Sequence, residues 1–206
     1  SSASRWSICP VSVNGTMDSK SRAAAEGTVC HAIADELLRG TDAPAIGSKR
    51  SADGFEFEIT EDLMRDVMSY VNYVRELPWV GRYYVETRVS YGKFLAAPMM
   101  LAWGTSDCWG FTQHPGPYGR ALRVIDLKMG RRAVSCEGNT QMGLYAAGAI
   151  ERMAELPLPL DFPVELTIFQ PRLSRRPFVW ETTVGWIEEM AMRLRPSAAA
   201  AIDYAK

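Results

Sequence analysis

Apolar residues at Leu63, Val67, Tyr70, Val71 and Val74 recur at the spacing of one helical face and predict a helix over 61–77. Thr60, with Asp62 just after it, supplies the N-terminal cap, and Pro78 ends the element. Upstream, 21–38 (SRAAAEGTVCHAIADELL) is rich in alanine and leucine and reads as a second helix, weakened at Gly27. Residues 40–54 carry Gly, Ser, Asp and Pro and read as a loop. Past Pro78 the texture changes. Tyr, Val and Thr over 82–91 predict a strand, and 99–112 and 120–128 predict two more. The dense turn signal Gln113-His114-Pro115-Gly116-Pro117-Tyr118-Gly119 joins the last two. Residues 139–153 return to helix, stopped by Pro157 and Pro159. Strands follow at 164–170 and 178–183, then a short helix at 186–194 and an alanine-rich tail at 198–201. The first 20 residues are Ser-rich, with Trp6 and Cys9-Pro10 as expected anchors on the core. This order of elements predicts an α/β layer structure, a small sheet covered by helices.

Length and composition narrow the class. At 206 residues the chain suits one domain over 1–206 and buries enough surface to need neither disulfides nor structural zinc. With 47% hydrophobic and 23% charged residues it is neither a disordered chain nor a coiled coil. No apolar run of about 20 residues predicts a membrane span, and no secretory signal is read at 1–10. The four cysteines (Cys9, Cys30, Cys108, Cys136) include no C-x-x-C pair, which argues against a zinc ribbon and for reduced thiols in a cytoplasm. A net charge of −1 excludes nucleic-acid coating by bulk charge but leaves room for a local basic strip.

The chemistry centres on the expected hairpin. Positions 107 and 126 are symmetric about the point between Gly116 and Pro117, so a regular hairpin sets Asp107 across from Asp126. Like charges so opposed destabilise a sheet, and a divalent cation is the natural remedy. Leu122, Val124 and Ile125 mark a buried strand, in which a charged end asks for a reason. Lys128 lies two residues beyond Asp126 and shares its face, beside any metal-bound water. Gln141 and Tyr145, four apart, share one face of the following helix. His31, one of two histidines, is a competent metal ligand or proton acceptor. The basic runs Arg131-Arg132 and Arg172-x-x-Arg175-Arg176 read as solvated loops, with DNA-phosphate contact as their functional alternative. Cys30 and Cys108 read as small core residues.

Taken in order, Gly27-Thr28-x-x-His31, Asp107, Asp126-Leu127-Lys128 and Gln141-x-x-x-Tyr145 resemble the PD-(D/E)XK nuclease superfamily, in its RecB-like and lambda-exonuclease-like branch. Within that branch the chain is similar to phage-encoded proteins of undefined function. The phrases that carry the likeness are SASRWSICP, AAEGTVCH, WGTSD, VIDLKMG, EGNTQMGLYAAGA and VELTIFQPRL. The resemblance implies a restriction-endonuclease-like core and a Mg²⁺- or Mn²⁺-dependent deoxyribonuclease, an exonuclease of phage recombination or replication. It implies that Asp107, Asp126 and the Leu127 carbonyl bind the metal and that Lys128 activates the attacking water. His31 becomes a further ligand, and Glu86 serves a second metal or its water. Gln141 and Tyr145 position DNA or support the site. Asp126 stands where glutamate is commoner. Some relatives hold an iron–sulfur cluster with C-terminal cysteines; no cysteine follows Cys136, so none is expected here. The partners implied are DNA and a phage recombinase or single-strand-binding protein, with assembly into an oligomer open. The alternatives are a DNA-binding accessory protein with reduced catalysis and a structure-selective endonuclease.

Overall fold

Residues 21–153 and 157–204 are described by a computed structural model. The expected anchors Trp6 and Cys9-Pro10 lie outside them. Helix α1 (Arg22–Leu38) starts where Ser21 accepts a hydrogen bond from the Ala24 amide, and α2 (Glu61–Glu76) where Thr60 accepts one from Leu63. All five apolar positions that define α2 in the sequence are buried.

The main sheet has the order β3-β4-β5-β6-β7, from β3 (Trp79–Ser90), β4 (Trp103–Gln113), β5 (Arg120–Leu127), β6 (Pro163–Phe169) and β7 (Phe178–Thr183). Only β5 and β6 run parallel; the other pairs are antiparallel. The parallel crossover carries α4 (Thr140–Arg152), capped by Asn139. One face of the sheet packs Cys108, Ile125, Leu127 and Phe169 against α1 and α2. The other packs Trp109, Val124, Leu166 and Ile168 against α4 and the C-terminal helix α5 (Val184–Tyr204). The result is the mixed α/β architecture expected, a small sheet flanked by helices. Among the described residues no helix is long and apolar enough to cross a membrane.

Four elements differ from the sequence reading. Residues 49–58 are not loop and unassigned chain but a hairpin, β1 (Lys49–Ala52) and β2 (Phe55–Glu58). Asp53 and Gly54 both take positive φ at its turn, as a two-residue hairpin loop requires, and Phe57 drops into the α1–α2 core. The strand at 82–91 starts three residues earlier, at Trp79. The strand expected from Met99 starts at Trp103, because a short helix α3 (Gly92–Leu95) and the left-handed Ala96 turn the chain first. The helix at 186–194 is instead continuous over 184–204. It absorbs the loss of one backbone donor at Pro196, and the alanine run beyond is helix, with Ala198 and Ala201 buried.

Candidate functional site

The hairpin turns as its symmetry predicts, with Cys108 paired to Ile125 and Gln113 to Arg120. The β4–β5 ladder stops at Cys108–Ile125, while β5 runs on to Leu127 along β6 and β4 reaches back to Trp103 along β3. Asp107 fills the opening. Its Oδ2 accepts a 2.7 Å hydrogen bond from the Leu127 amide, so a carboxylate replaces the carbonyl that would have continued the sheet.

A break in strand alternation explains which groups meet there. Tyr84 and Trp109 stack on the α4 side, yet five residues further along each strand Val89 and Gly104 are also on that side, against Gly148 and Tyr145. Regular alternation forbids this over an odd interval. The slip occurs at Glu86, which has φ +41° in the middle of β3. Consecutive residues Val85 and Glu86 therefore line one small cavity with Asp107, His31 and Tyr70, on the α1 side of the sheet. A left-handed non-glycine residue costs of order 1–3 kcal/mol, a strain that tends to sit at functional sites.

Two groups of side chains result. On the α1 side, His31 Nδ1 lies 3.3 Å from Asp107 Oδ2 and 3.4 Å from Glu86 Oε1, and the ligand atoms of all three lie within 4.8 Å of one another. On the α4 side, Asp126 Oδ2 lies 2.6 Å from Lys128 Nζ, and Gln141 Nε2 donates to Asp126 Oδ1 at 3.4 Å and to Tyr145 Oη at 2.9 Å. Gly104 makes room for Tyr145: a Cβ there would sit 2.7 Å from its ring. The expectation that Asp107 and Asp126 face each other symmetrically is corrected accordingly. The slip turns Asp107 toward α1, and Asp126 is engaged from α4.

The two groups remain electrically joined. Burial and the charge of Asp107 push Asp126 up to about 6, against the pull of Lys128 and His31. Burial would lower His31, but Asp107 by charge and hydrogen bond, with Glu86 and Asp126, holds it up at about 10. Burial likewise disfavours the Lys128 ammonium, and Asp126 more than restores it, so Lys128 is held above its ordinary value. It is a fixed cation and not a proton acceptor at neutral pH.

Among the described residues several buried side-chain polar atoms lack a hydrogen-bond partner, Ser106 Oγ, Thr167 Oγ1 and the Tyr70 hydroxyl among them. Asp126 Oδ2 meets the Lys128 ammonium at 2.6 Å, while the Tyr70 hydroxyl in the α1-side cavity has no hydrogen-bond partner among the described residues. Buried carboxylates, an imidazole and a hydroxyl left over make a donor set that fits a hard divalent cation such as Mg²⁺ or Mn²⁺. His31, Glu86 and Asp107 would hold it, with Asp126 close by. The Leu127 amide is committed to Asp107.

The arginines divide. Arg131 and Arg132 are exposed in the loop that follows Lys128, and Arg175 and Arg176 are exposed between β6 and β7. Arg172 departs from the solvated reading. It is largely covered, pairing with Glu26 at 2.6 Å and Asp66 at 3.4 Å and donating to the Met129 carbonyl, a tie between α1, α2 and the sheet. Cys30 and Cys108 are fully buried core residues, and burial pushes both thiols up. Sequence reasoning missed Tyr70, taken only as one apolar position on α2. It also missed Gln170, fully buried, whose Nε2 donates to the Gly130 and Arg132 carbonyls at 2.7 Å each and fixes the basic loop. A glutamine closing the strand 164–170 was the available signal.

A family model described as a protein of unknown function (DUF2800) matches residues 1–206, and the chain belongs to that family.

Proposed function

We propose that this DUF2800 protein is a Mg²⁺- or Mn²⁺-dependent deoxyribonuclease, an exonuclease acting in phage DNA recombination or replication in the cytoplasm of the host. One observation carries the reading. Glu86, Asp107 and His31 bring their ligand atoms within 4.8 Å of one another where β4 and β5 part, and the buried Asp126 carboxylate, paired with Lys128 at 2.6 Å, lies close by on β5. The likeness to PD-(D/E)XK nucleases in Asp107, Asp126-Leu127-Lys128 and Gln141-x-x-x-Tyr145 supports the same chemistry.

His31, Glu86 and Asp107 would hold the cation, with Asp126 at its edge. When bound, the cation supplies Lewis-acid stabilisation of charge on a phosphate and a more acidic water. The protein's own residues do the rest. Lys128, kept protonated by Asp126, orients the attacking water and offsets the charge that develops on the phosphate oxygens. Gln141, braced by Tyr145, holds Asp126 in place. Arg131, Arg132, Arg175 and Arg176 flank the carboxyl ends of β5 and β6 and offer phosphate contacts that carry no sequence preference.

The test is degradation of end-labelled linear DNA by the purified chain with Mg²⁺ or Mn²⁺. Asp126→Ala and Lys128→Ala abolish it while circular dichroism stays native; full activity in both variants overturns the site. An exonuclease spares closed circular DNA, and cleavage of the circle marks the endonuclease alternative. Failure of the intact chain to bind Mg²⁺ or Mn²⁺ by calorimetry favours the accessory role.

A further inference from the structure

The segment that links α3 to β4 exposes a run of large apolar side chains: Met99 is 54% exposed, Met100 81%, Leu101 60% and Trp103 44%. Single exposed apolar residues need no explanation, but a contiguous run marks a contact surface. Its position is informative. Beyond the slip at Glu86, alternation places Trp103, Thr105 and Asp107 in one row of β4, on the face opposite Gly104 and Tyr145. Arg88 and Glu86 form the neighbouring row of β3, with Arg88 paired to Thr105. Trp103 therefore lies four residues, roughly 13 Å of strand, from the metal-ligating carboxylate on the same side of the sheet.

The surface is not uniformly greasy. The Arg88 guanidinium sits 3.9 Å from the centroid of the Trp103 ring, and the Tyr91 hydroxyl donates to the Trp103 carbonyl at 2.7 Å, fixing the backbone beneath the indole. A rigid aromatic carrying a cation, in line with a cluster of acids, is suited to a ligand with a flat apolar face and a nearby negative charge. An unpaired nucleotide has both: a base with a π-face and a phosphate. A duplex offers the phosphates but keeps its base faces stacked inside.

We propose that Trp103, with Arg88 stacked on it, is a base-stacking platform that receives the single-stranded end of the DNA leading into the acidic cleft. The proposal rests on the nuclease reading and adds to it the state of the substrate. Trp103 grips the strand, and the carboxylates four residues along β4 act on it.

The test uses the full chain carrying Asp126→Asn, so that bound DNA stays intact, and fluorescence anisotropy with oligothymidylate, an abasic strand of equal length and a blunt duplex. Trp103→Ala weakens oligothymidylate binding about 5- to 100-fold, leaves duplex binding unchanged and leaves the melting temperature unchanged. Trp103→Phe keeps most of the affinity. The abasic strand binds the parent as weakly as oligothymidylate binds Trp103→Ala. Equal binding of oligothymidylate by parent and Trp103→Ala overturns the platform, as does an equal loss on the abasic strand. Sedimentation in which Trp103→Ala turns a dimer into a monomer, with DNA affinity intact, also overturns it and makes the run a self-association surface. If the unsubstituted chain neither cleaves nor binds any DNA, the nuclease reading falls first and the platform with it.

Discussion

The same central strands bury charge in two places, and the two places are built differently. Toward the hairpin end, Arg123 of β5 faces Glu165 of β6 across the parallel ladder. Arg123 Nε donates to Glu165 Oε2 at 2.8 Å, Thr112 Oγ1 donates to the same oxygen at 3.2 Å, and Arg123 Nη1 donates to the Tyr73 hydroxyl at 2.8 Å. Arg123 is matched to Glu165 there, Thr112 and Tyr73 add hydrogen bonds, and Glu181 and His114 bring further ligand atoms within 4.8 Å of Glu165. At the other end, Asp107, Asp126 and Glu86 share one lysine and one histidine, and among the described residues the buried Tyr70 hydroxyl has no hydrogen-bond partner. Buried charge that serves the fold is matched. Buried charge in surplus is what the proposed cation would offset.

The contrast breaks most sharply on removal of one acid from each end. Glu165→Ala strands Arg123 in a largely covered site and is expected to destabilise the protein by about 3–5 kcal/mol, a fall in Tm on the order of 10 °C. Asp126→Asn has the opposite sign. The folded state raises Asp126 from 3.8 to about 6, so the cation-free protein is most favoured with this group neutral, below pH 4, and loses stability as pH rises through 6. The asparagine variant escapes that loss. Without cation it is expected to gain on the order of 3 kcal/mol above pH 7, with the gain vanishing near pH 4. Denaturant melts at pH 4 and pH 7.5 check both variants. A variant of Asp126 that is less stable than the parent at pH 7.5 would mean that the site is balanced after all.

The surplus can also be counted in protons. At neutral pH His31 carries a proton, held there by Asp107, Glu86 and Asp126 against the effect of burial. Ligation needs the neutral imidazole. Binding of Mn²⁺ at pH 7 is therefore expected to release about one proton, and affinity to weaken as pH falls. Calorimetry in two buffers of different ionisation heat measures the proton. A release near zero would show that His31 stays an imidazolium and is not a ligand.

The balanced end and the surplus end were not equally legible in the sequence. Asp126, Lys128, Gln141 and Tyr145 follow from strand and helix periodicity, because each is tied to a turn or spacing only a few residues away, whereas Asp107 sits on the expected strand but faces α1. Glu86 and His31 meet them only because one residue of β3 adopts a left-handed backbone. Nothing in Val85-Glu86-Thr87 announces that: no glycine or asparagine stands where the alternation slips. Arg172 reads like any basic loop residue until Glu26 and Asp66, distant in sequence, fold around it. The hairpin at 49–58 was readable, since Asp53-Gly54 between short alternating runs is a strong turn signal. The surrounding polar composition hid it.

Tyr70 gives the smallest and most discriminating effect. Its ring is an ordinary core residue, packed edge-on to Phe169 at 5.8 Å, and the helical periodicity of α2 accounts for it fully. Its hydroxyl has no such account. Among the described residues it is buried without a partner beside His31, Glu86 and Asp107, and burial together with nearby negative charge raises it well above its ordinary value. Tyr70→Phe keeps the ring and removes the unmatched oxygen. In the cation-free protein it is expected to be neutral or to stabilise by up to about 1 kcal/mol, since no hydrogen bond is lost. If the hydroxyl faces the waters or ligands of a bound cation, the same change weakens Mn²⁺ binding by about tenfold. The two readings separate in one pair of measurements. Loss of stability without cation means that the hydroxyl is already satisfied within the fold. Unchanged stability with weaker Mn²⁺ binding means that helix α2 contributes a site residue disguised as core.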